Sequence, residues 1–159
     1  YTFSKLSLGE FKEKSSSLYA AAYPVSSIND LKSKLFNVKG KYTDSSHVCY
    51  VYRIKLGGRL DEFYSDAGEP KGSAGNAILN ALKRNKLINS VIFIIRYFGG
   101  TKLGIPGLIH AYGTAAKEVI VNAKIKLWLE KKLIGISYPY ELDGVIKSLV
   151  HKKTDRSSS

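Results

Sequence analysis

The spacing of apolar residues along the chain switches between a period of two and a period near 3.6, and each switch predicts an element. Residues 18–25 (LYAAAYPV) suit a strand that stops at Pro24, since proline is tolerated only near an end or an edge. Ser27 stands three residues before Asp30 in the spacing of a capping box, and Ile28, Leu31, Leu35 and Val38 follow at helical intervals, which predicts a helix ending near Gly40. Residues 47–54 (HVCYVYRI) are β-branched and aromatic and predict a second strand. His47, Cys49, Val51 and Arg53 should lie on one face, with Val48, Tyr50, Tyr52 and Ile54 on the other. The stretch LGGRLDEF reads as a polar loop leading into the glycine-dense SDAGEPKGSAG. Ser73 is placed to cap a helix with Ala74, Ala77, Ile78, Ala81 and Leu82 along one stripe. The run SVIFIIRYF is almost continuously apolar, as a strand buried on both faces would be, and is expected at the centre of the sheet. GGTKLGIPG forms a second glycine loop before a helix over about 108–123 that buries Leu108, Tyr112, Ala115 and Val119.

Beyond this, AKIKLWLE reads as an edge strand, KLIGISY as a further strand and ELDGVIKSLV as a helix, and HKKTDRSSS as a disordered polar tail. The order of elements argues a mixed domain of one sheet and several helices. With 159 residues, one compact domain with a small appendage is expected, divided as 1–131 and 132–159. The second part offers one strand and one helix, whose apolar residues, among them Leu133, Ile136, Val145 and Leu149, predict docking or pairing with a second copy of the chain.

Charge adds a partner class. Lys and Arg total 25 against 13 Asp and Glu, a formal net charge of +12, as expected of a polyanion binder. Residues 70–117 hold no acid, while Lys71, Lys83, Arg84, Lys86, Arg96, Lys102 and Lys117 are cationic. The alternative is a solvated face that maintains solubility. The longest apolar run, VIFII, is far below the roughly 18 residues of a membrane span, and no basic-then-apolar leader precedes the first strand, so neither membrane insertion nor secretion is expected. A single cysteine, Cys49, suits a reducing cytoplasm.

Two glycine loops, each opening a helix, could present backbone N–H groups to phosphate, with Lys71, Gly72 and Ser73 in the first and Arg96, Tyr97, Gly99, Gly100 and Lys102 in or beside the second; His110 follows on the next helix. Neither loop has the spacing of a Walker A or dinucleotide-binding turn. Structural turns account for the glycines equally well. Asp66 and Glu69 could act as acid and base or hold a divalent cation, or could bond backbone amides and pair with Arg96 or Lys71. Tyr97 or Phe98 could stack a base beside Arg96, or Arg96 could pair with Glu69 while the aromatics fill the core. His47 and Cys49 lack the companions of a zinc site, and Ser73 lacks the setting of a nucleophile. No metal and no cofactor is expected.

The segments SDAGEPKGSAGNAIL and RYFGGTKLGIPGLIHAYGTAA resemble the signature of the YigZ and Impact N-terminal domain family, a DDGEP-GTAG segment followed by RYFGG-KLG-GL-AYG. The likeness runs from about residue 10 to 123 and is nearest to the bacterial branch. It departs at Ala67, which replaces the second acid of the pair, at Pro106, which replaces a glycine, and at His110, which replaces a basic residue. The resemblance implies an α+β fold, a two-layer α/β sandwich like the second domain of ribosomal protein five of the small subunit. It further implies a ferredoxin-like second domain, of which residues 132–159 would supply only part. Eukaryotic members of the wider family look like regulators of translation acting through a protein partner. The expected function is therefore that of a cytoplasmic, non-enzymatic protein bound to RNA, the ribosome or a translation-related protein. A hydrolase or phosphate-ester enzyme built on Asp66 and Glu69 is the alternative.

Overall fold

The computed structural model describes residues 1–131 and 135–157, the side chains of 153–157 excepted. Two units separate along the chain, Tyr1–Trp128 and Leu129–Ser159. The first is built on a five-stranded antiparallel sheet in the order β2-β3-β6-β4-β5: β2 (Ser7–Glu13), β3 (Ser16–Pro24), β4 (His47–Leu56), β5 (Arg59–Ser65) and β6 (Ser90–Tyr97). A small second sheet pairs β1 (Thr2–Phe3) with β7 (Ile125–Lys126). Helices α2 (Gly75–Arg84) and α3 (Gly104–Val121) bury their apolar stripes on one face of the large sheet, together with Leu18, Cys49, Val51, Ile92 and Ile94. Helix α1 (Ile28–Lys41) covers the other face, where Leu31 and Val38 join Val91, Phe93 and Ile95. This is the expected α+β sandwich, except that α1 adds a third layer to the two expected, because β6 and β4 present apolar side chains on both faces of the sheet. The cover on both faces explains why β6, the middle strand, is buried from Ser90 to Arg96.

The cap of α1 forms as its spacing predicts, because the Ser27 hydroxyl accepts from the Asp30 amide at 3.1 Å, while Asp30 reaches back to the amide of Ser26 at 3.0 Å. The alternation of β4 also holds, with Cys49 and Val51 in the α2–α3 core and Val48, Tyr50, Tyr52 and Ile54 toward α1.

Several expectations are corrected. LGGRLDEF is no loop: Gly57 and Gly58, both at positive φ, turn β4 into β5, which lies at the sheet edge with Arg59, Leu60, Glu62 and Phe63 exposed. Residues 7–13 form the other edge strand, β2, again too polar to stand out by periodicity. Its Gly9 faces Val119 of α3, where a Cβ would lie 2.8 Å from the backbone nitrogen, so helix and strand meet with no room for a side chain. Helix α3 begins at Gly104, four residues earlier than the pattern predicts, because Pro106 falls in its first turn, where a missing N–H costs nothing. The AKIKLWLE strand shrinks to β7, outside the main sheet.

In the second unit, a turn of 3-10 helix (Tyr140–Leu142) leads into α4 (Asp143–Ser157), so most of the tail expected to be disordered is helical. Of the strand expected in KLIGISY, residues 132–134 lie outside the described residues, and 135–138 form no strand.

Candidate functional site

His47 on β4 and Arg96 on β6 are direct cross-strand partners, which places both side chains at one end of the sheet on the face covered by α2 and α3. The loop from β5 to α2 crosses this end. It turns at Asp66, whose carbonyl accepts from the Glu69 amide at 2.9 Å, with Ala67 at φ +48° and Gly68 at φ +88° between them. A left-handed conformation is ordinary for glycine and unfavourable for alanine, so the turn holds Ala67 under local strain. It delivers Glu69 beneath α3.

There the Glu69 carboxylate is 8% exposed and Oε1 accepts from Arg96 Nη1 at 2.6 Å and from the Tyr112 hydroxyl at 2.7 Å. Arg96 Nη2 reaches the Ser16 hydroxyl at 3.4 Å. His47 donates Nδ1–H to the Ala67 carbonyl at 2.8 Å, which leaves Nε2 directed at Glu69 Oε1, 3.7 Å away. A buried carboxylate and a buried guanidinium thus neutralise one another, and two strands, a loop and a helix are tied together by their hydrogen bonds.

Asp66 has a different task. Its Oδ2 accepts from the Gly72 amide at 2.8 Å and its Oδ1 from the amides of Ala74 at 3.2 Å and Gly75 at 2.7 Å. The acid caps α2 from nine residues upstream, and the N–H groups expected to cradle phosphate already hold the chain's own carboxylate. Ser73, expected as the cap, is buried with its hydroxyl donating to the Pro70 carbonyl. Gly75 admits nothing larger, since a Cβ there would come 2.1 Å from the Tyr64 ring.

Cys49 lies beneath this loop, its thiol donating to the Asp66 carbonyl at 3.3 Å. Burial pushes the thiol up to about 12 from an ordinary 9.0, and burial likewise raises the Tyr112 phenol, with Cys49 and Glu69 adding to it. A raised thiol pKa leaves the folded state unable to gain from ionisation, so stability falls as pH climbs from about 9 toward 12. Iodoacetamide labelling of Cys49 at pH 8.5 should accordingly be about a hundredfold slower in the native chain than in urea, followed by mass spectrometry.

The remaining expected residues divide. Arg96 is buried in its pair, and Tyr97 points to the opposite face, where its hydroxyl donates to Asp44 at 3.0 Å. Gly99 faces the backbone of Ser15, with 2.1 Å left for a Cβ, so its glycine is needed for packing against the β2–β3 turn. Gly100, Lys71 and Lys102 are exposed. His110 is exposed and lies edge-on to Phe11 at 5.9 Å.

Two concave surfaces flank the cluster. A cleft of about 360 Å³ is lined by His47, Glu69, Arg96, Phe98 and Lys102 together with apolar residues at the start of α3. Between α2 and α3 runs a groove of about 260 Å³, lined among others by Asn80, Arg84, His110, Thr114 and Lys117. No carboxylate lines it. In the sequence, Arg84 and Lys117 stand out only as members of a charge run, and Tyr112 only as core. A tyrosine inside an apolar stripe needs a partner for its hydroxyl, and that is the signal the sequence carries. Among the described residues no group of three or more His, Cys, Asp and Glu is arranged to hold a metal ion, and no helix is long and apolar enough to cross a membrane.

Known proteins share this architecture. A solved structure described as that of a hypothetical protein matches with a TM-score of 0.71 over 77% of this chain and 60% of the other at 23% identity, which shows the fold. An IMPACT family member of Bacillus subtilis, YvyE, is 32% identical over 114 residues, 72% of this chain and 51% of the relative. An IMPACT family member of Thermus thermophilus, from the pol 5′ region, is 36% identical over 109 residues, 69% of this chain and 58% of the relative. The IMPACT homolog of Dictyostelium discoideum is 30% identical over 115 residues, covering 72% of this chain and 32% of the relative. The chain thus spans little more than half the length of these two bacterial relatives. The family model of the Impact N-terminal domain matches residues 14–120, from the turn before β3 almost to the end of α3, and the chain belongs to that family.

Proposed function

We propose that the chain is a cytoplasmic binding module without catalytic activity that takes RNA, free or in the ribosome, on its basic surface and so contributes to the regulation of translation. The observation that carries this reading is the division of labour between acids and bases. Glu69 is neutralised by Arg96, and Asp66 is engaged by three backbone amides, so the two acids of the enzymatic alternative are committed to holding the fold. Of the seven cations in the acid-free stretch, Lys83 is paired with Glu62 and Arg96 with Glu69; Lys71, Arg84, Lys86, Lys102 and Lys117 are exposed with no ion-pair partner among the described residues. A groove carrying Arg84 and Lys117 with Asn80, Thr114 and His110 offers donors to phosphate oxygens and no acidic side chain. The translational role follows the family resemblance, and the cytoplasmic setting follows the single cysteine, Cys49, which is free and buried.

Titration with a single-stranded RNA at several salt concentrations tests the reading. Log affinity should fall linearly with log salt, and Arg84→Glu with Lys117→Glu should weaken binding to all sequences and flatten the slope by about 0.7 for each phosphate no longer neutralised. Binding indifferent to salt, or metal-dependent turnover of phosphate esters abolished by Asp66→Asn, would overturn it in favour of the enzyme.

A further inference from the structure

The cleft beside the buried cluster is distinct from the groove between α2 and α3, and its lining is of two kinds. Pro70, Phe98, Leu103, Ile105 and Leu108 give it apolar walls, with Phe98 half exposed and its ring 5.6 Å from the Arg96 guanidinium. His47, Glu69, Arg96 and Lys102 give it a polar side. The two buried charges cancel, and Lys102 adds a cation that has no ion-pair partner among the described residues. His47 is fixed with Nε2 away from the Ala67 carbonyl, and Arg96, only 4% exposed, retains an Nε–H without an acceptor among the described residues. Gly104 lines the cleft at φ +74° with nothing within 4 Å of where a Cβ would stand, which keeps the backbone open there.

A volume of about 360 Å³ suits one small ligand. Apolar walls with an exposed aromatic ring favour a flat body, and a single uncompensated cation favours one anionic group attached to it. We propose that this cleft binds a nucleoside monophosphate, its base against Phe98 and its phosphate at Lys102. The same chemistry is met in a free mononucleotide and in the 5′-phosphorylated end of an RNA strand. Only the second source rests on the RNA reading above.

Calorimetric titration of the full chain with a nucleoside monophosphate, the matching nucleoside, inorganic phosphate, and short oligoribonucleotides with and without a 5′-phosphate tests this. The monophosphate should bind about tenfold or more tightly than either nucleoside or inorganic phosphate, because each lacks half of the binding groups. Lys102→Gln and Phe98→Ala, both at exposed positions, should each weaken it about tenfold, while Arg84→Glu in the groove should not. A preference of the oligonucleotide for its 5′-phosphate, abolished in Lys102→Gln, identifies the strand end as the source; tighter binding of the free monophosphate with no such preference identifies the mononucleotide. No monophosphate binding at millimolar concentration, or binding unchanged by both cleft substitutions, overturns the proposal whether or not the groove binds RNA.

Discussion

Glu69→Leu is expected to lower the unfolding free energy by about 3–5 kcal/mol in urea titrations, the largest effect of any single side chain outside the apolar core. The substitution leaves the Arg96 guanidinium charged and 4% exposed with no counter-ion, and takes the acceptor from the buried Tyr112 hydroxyl. Each is a desolvated group stripped of its partner, and the cost is that of the unpaired group, not the worth of the pair. Glu69→Leu combined with Arg96→Met should therefore recover most of the loss, since an apolar pair of similar size needs no compensation. Adding Tyr112→Phe should recover more. If the double variant is as unstable as Glu69→Leu, the cluster holds the loop by something other than charge pairing.

Asp66→Ala is expected to cost about 3 kcal/mol, because it removes three charge-assisted bonds and leaves the amides of Ala74 and Gly75 buried at the start of α2. Asp66→Asn should recover only part of this: one amide oxygen can serve Ala74 and Gly75, but the nitrogen would then face the Gly72 N–H, donor against donor. Ser73→Ala should cost about 1 kcal/mol or less, since its hydroxyl bonds one carbonyl and caps nothing. Thermal melts of the three variants decide between the two caps. Equal losses for Asp66→Ala and Ser73→Ala would return the capping role to the serine.

The elements legible in the sequence are those buried by their own periodicity. The stripes of α1, α2 and α3, the two-sided burial of β6 and the alternation of β4 follow from spacing alone, because each element must hide one face or both from water. The strands that escape such a reading are edge strands: β2 and β5 have one neighbour each, leave polar and apolar side chains alike exposed and show no run to count. The pairing of Arg96 with Glu69 is open in the sequence as one of two choices. Its closure requires His47, Arg96, Ser16 and Tyr112, up to 96 positions apart in the chain, to meet at one end of the sheet.

The sequence by itself determined the composition of the charged surface, because a net charge of +12 and a 48-residue stretch without an acid do not depend on how the chain folds. It left open whether the glycines of the two loops serve turns or a close approach. What they meet was decided by the tertiary structure: Gly75 meets Tyr64, Gly99 meets Ser15, and the amides opening α2 meet Asp66. Spacing along a chain encodes what one element needs to bury, whereas the partner that satisfies a buried charge or a bare amide is chosen by sheet order and loop path. For that reason only the folded chain shows Glu69 bonded to Arg96 and Tyr112 and Asp66 to the amides opening α2, with Arg84, Lys102 and Lys117 left exposed.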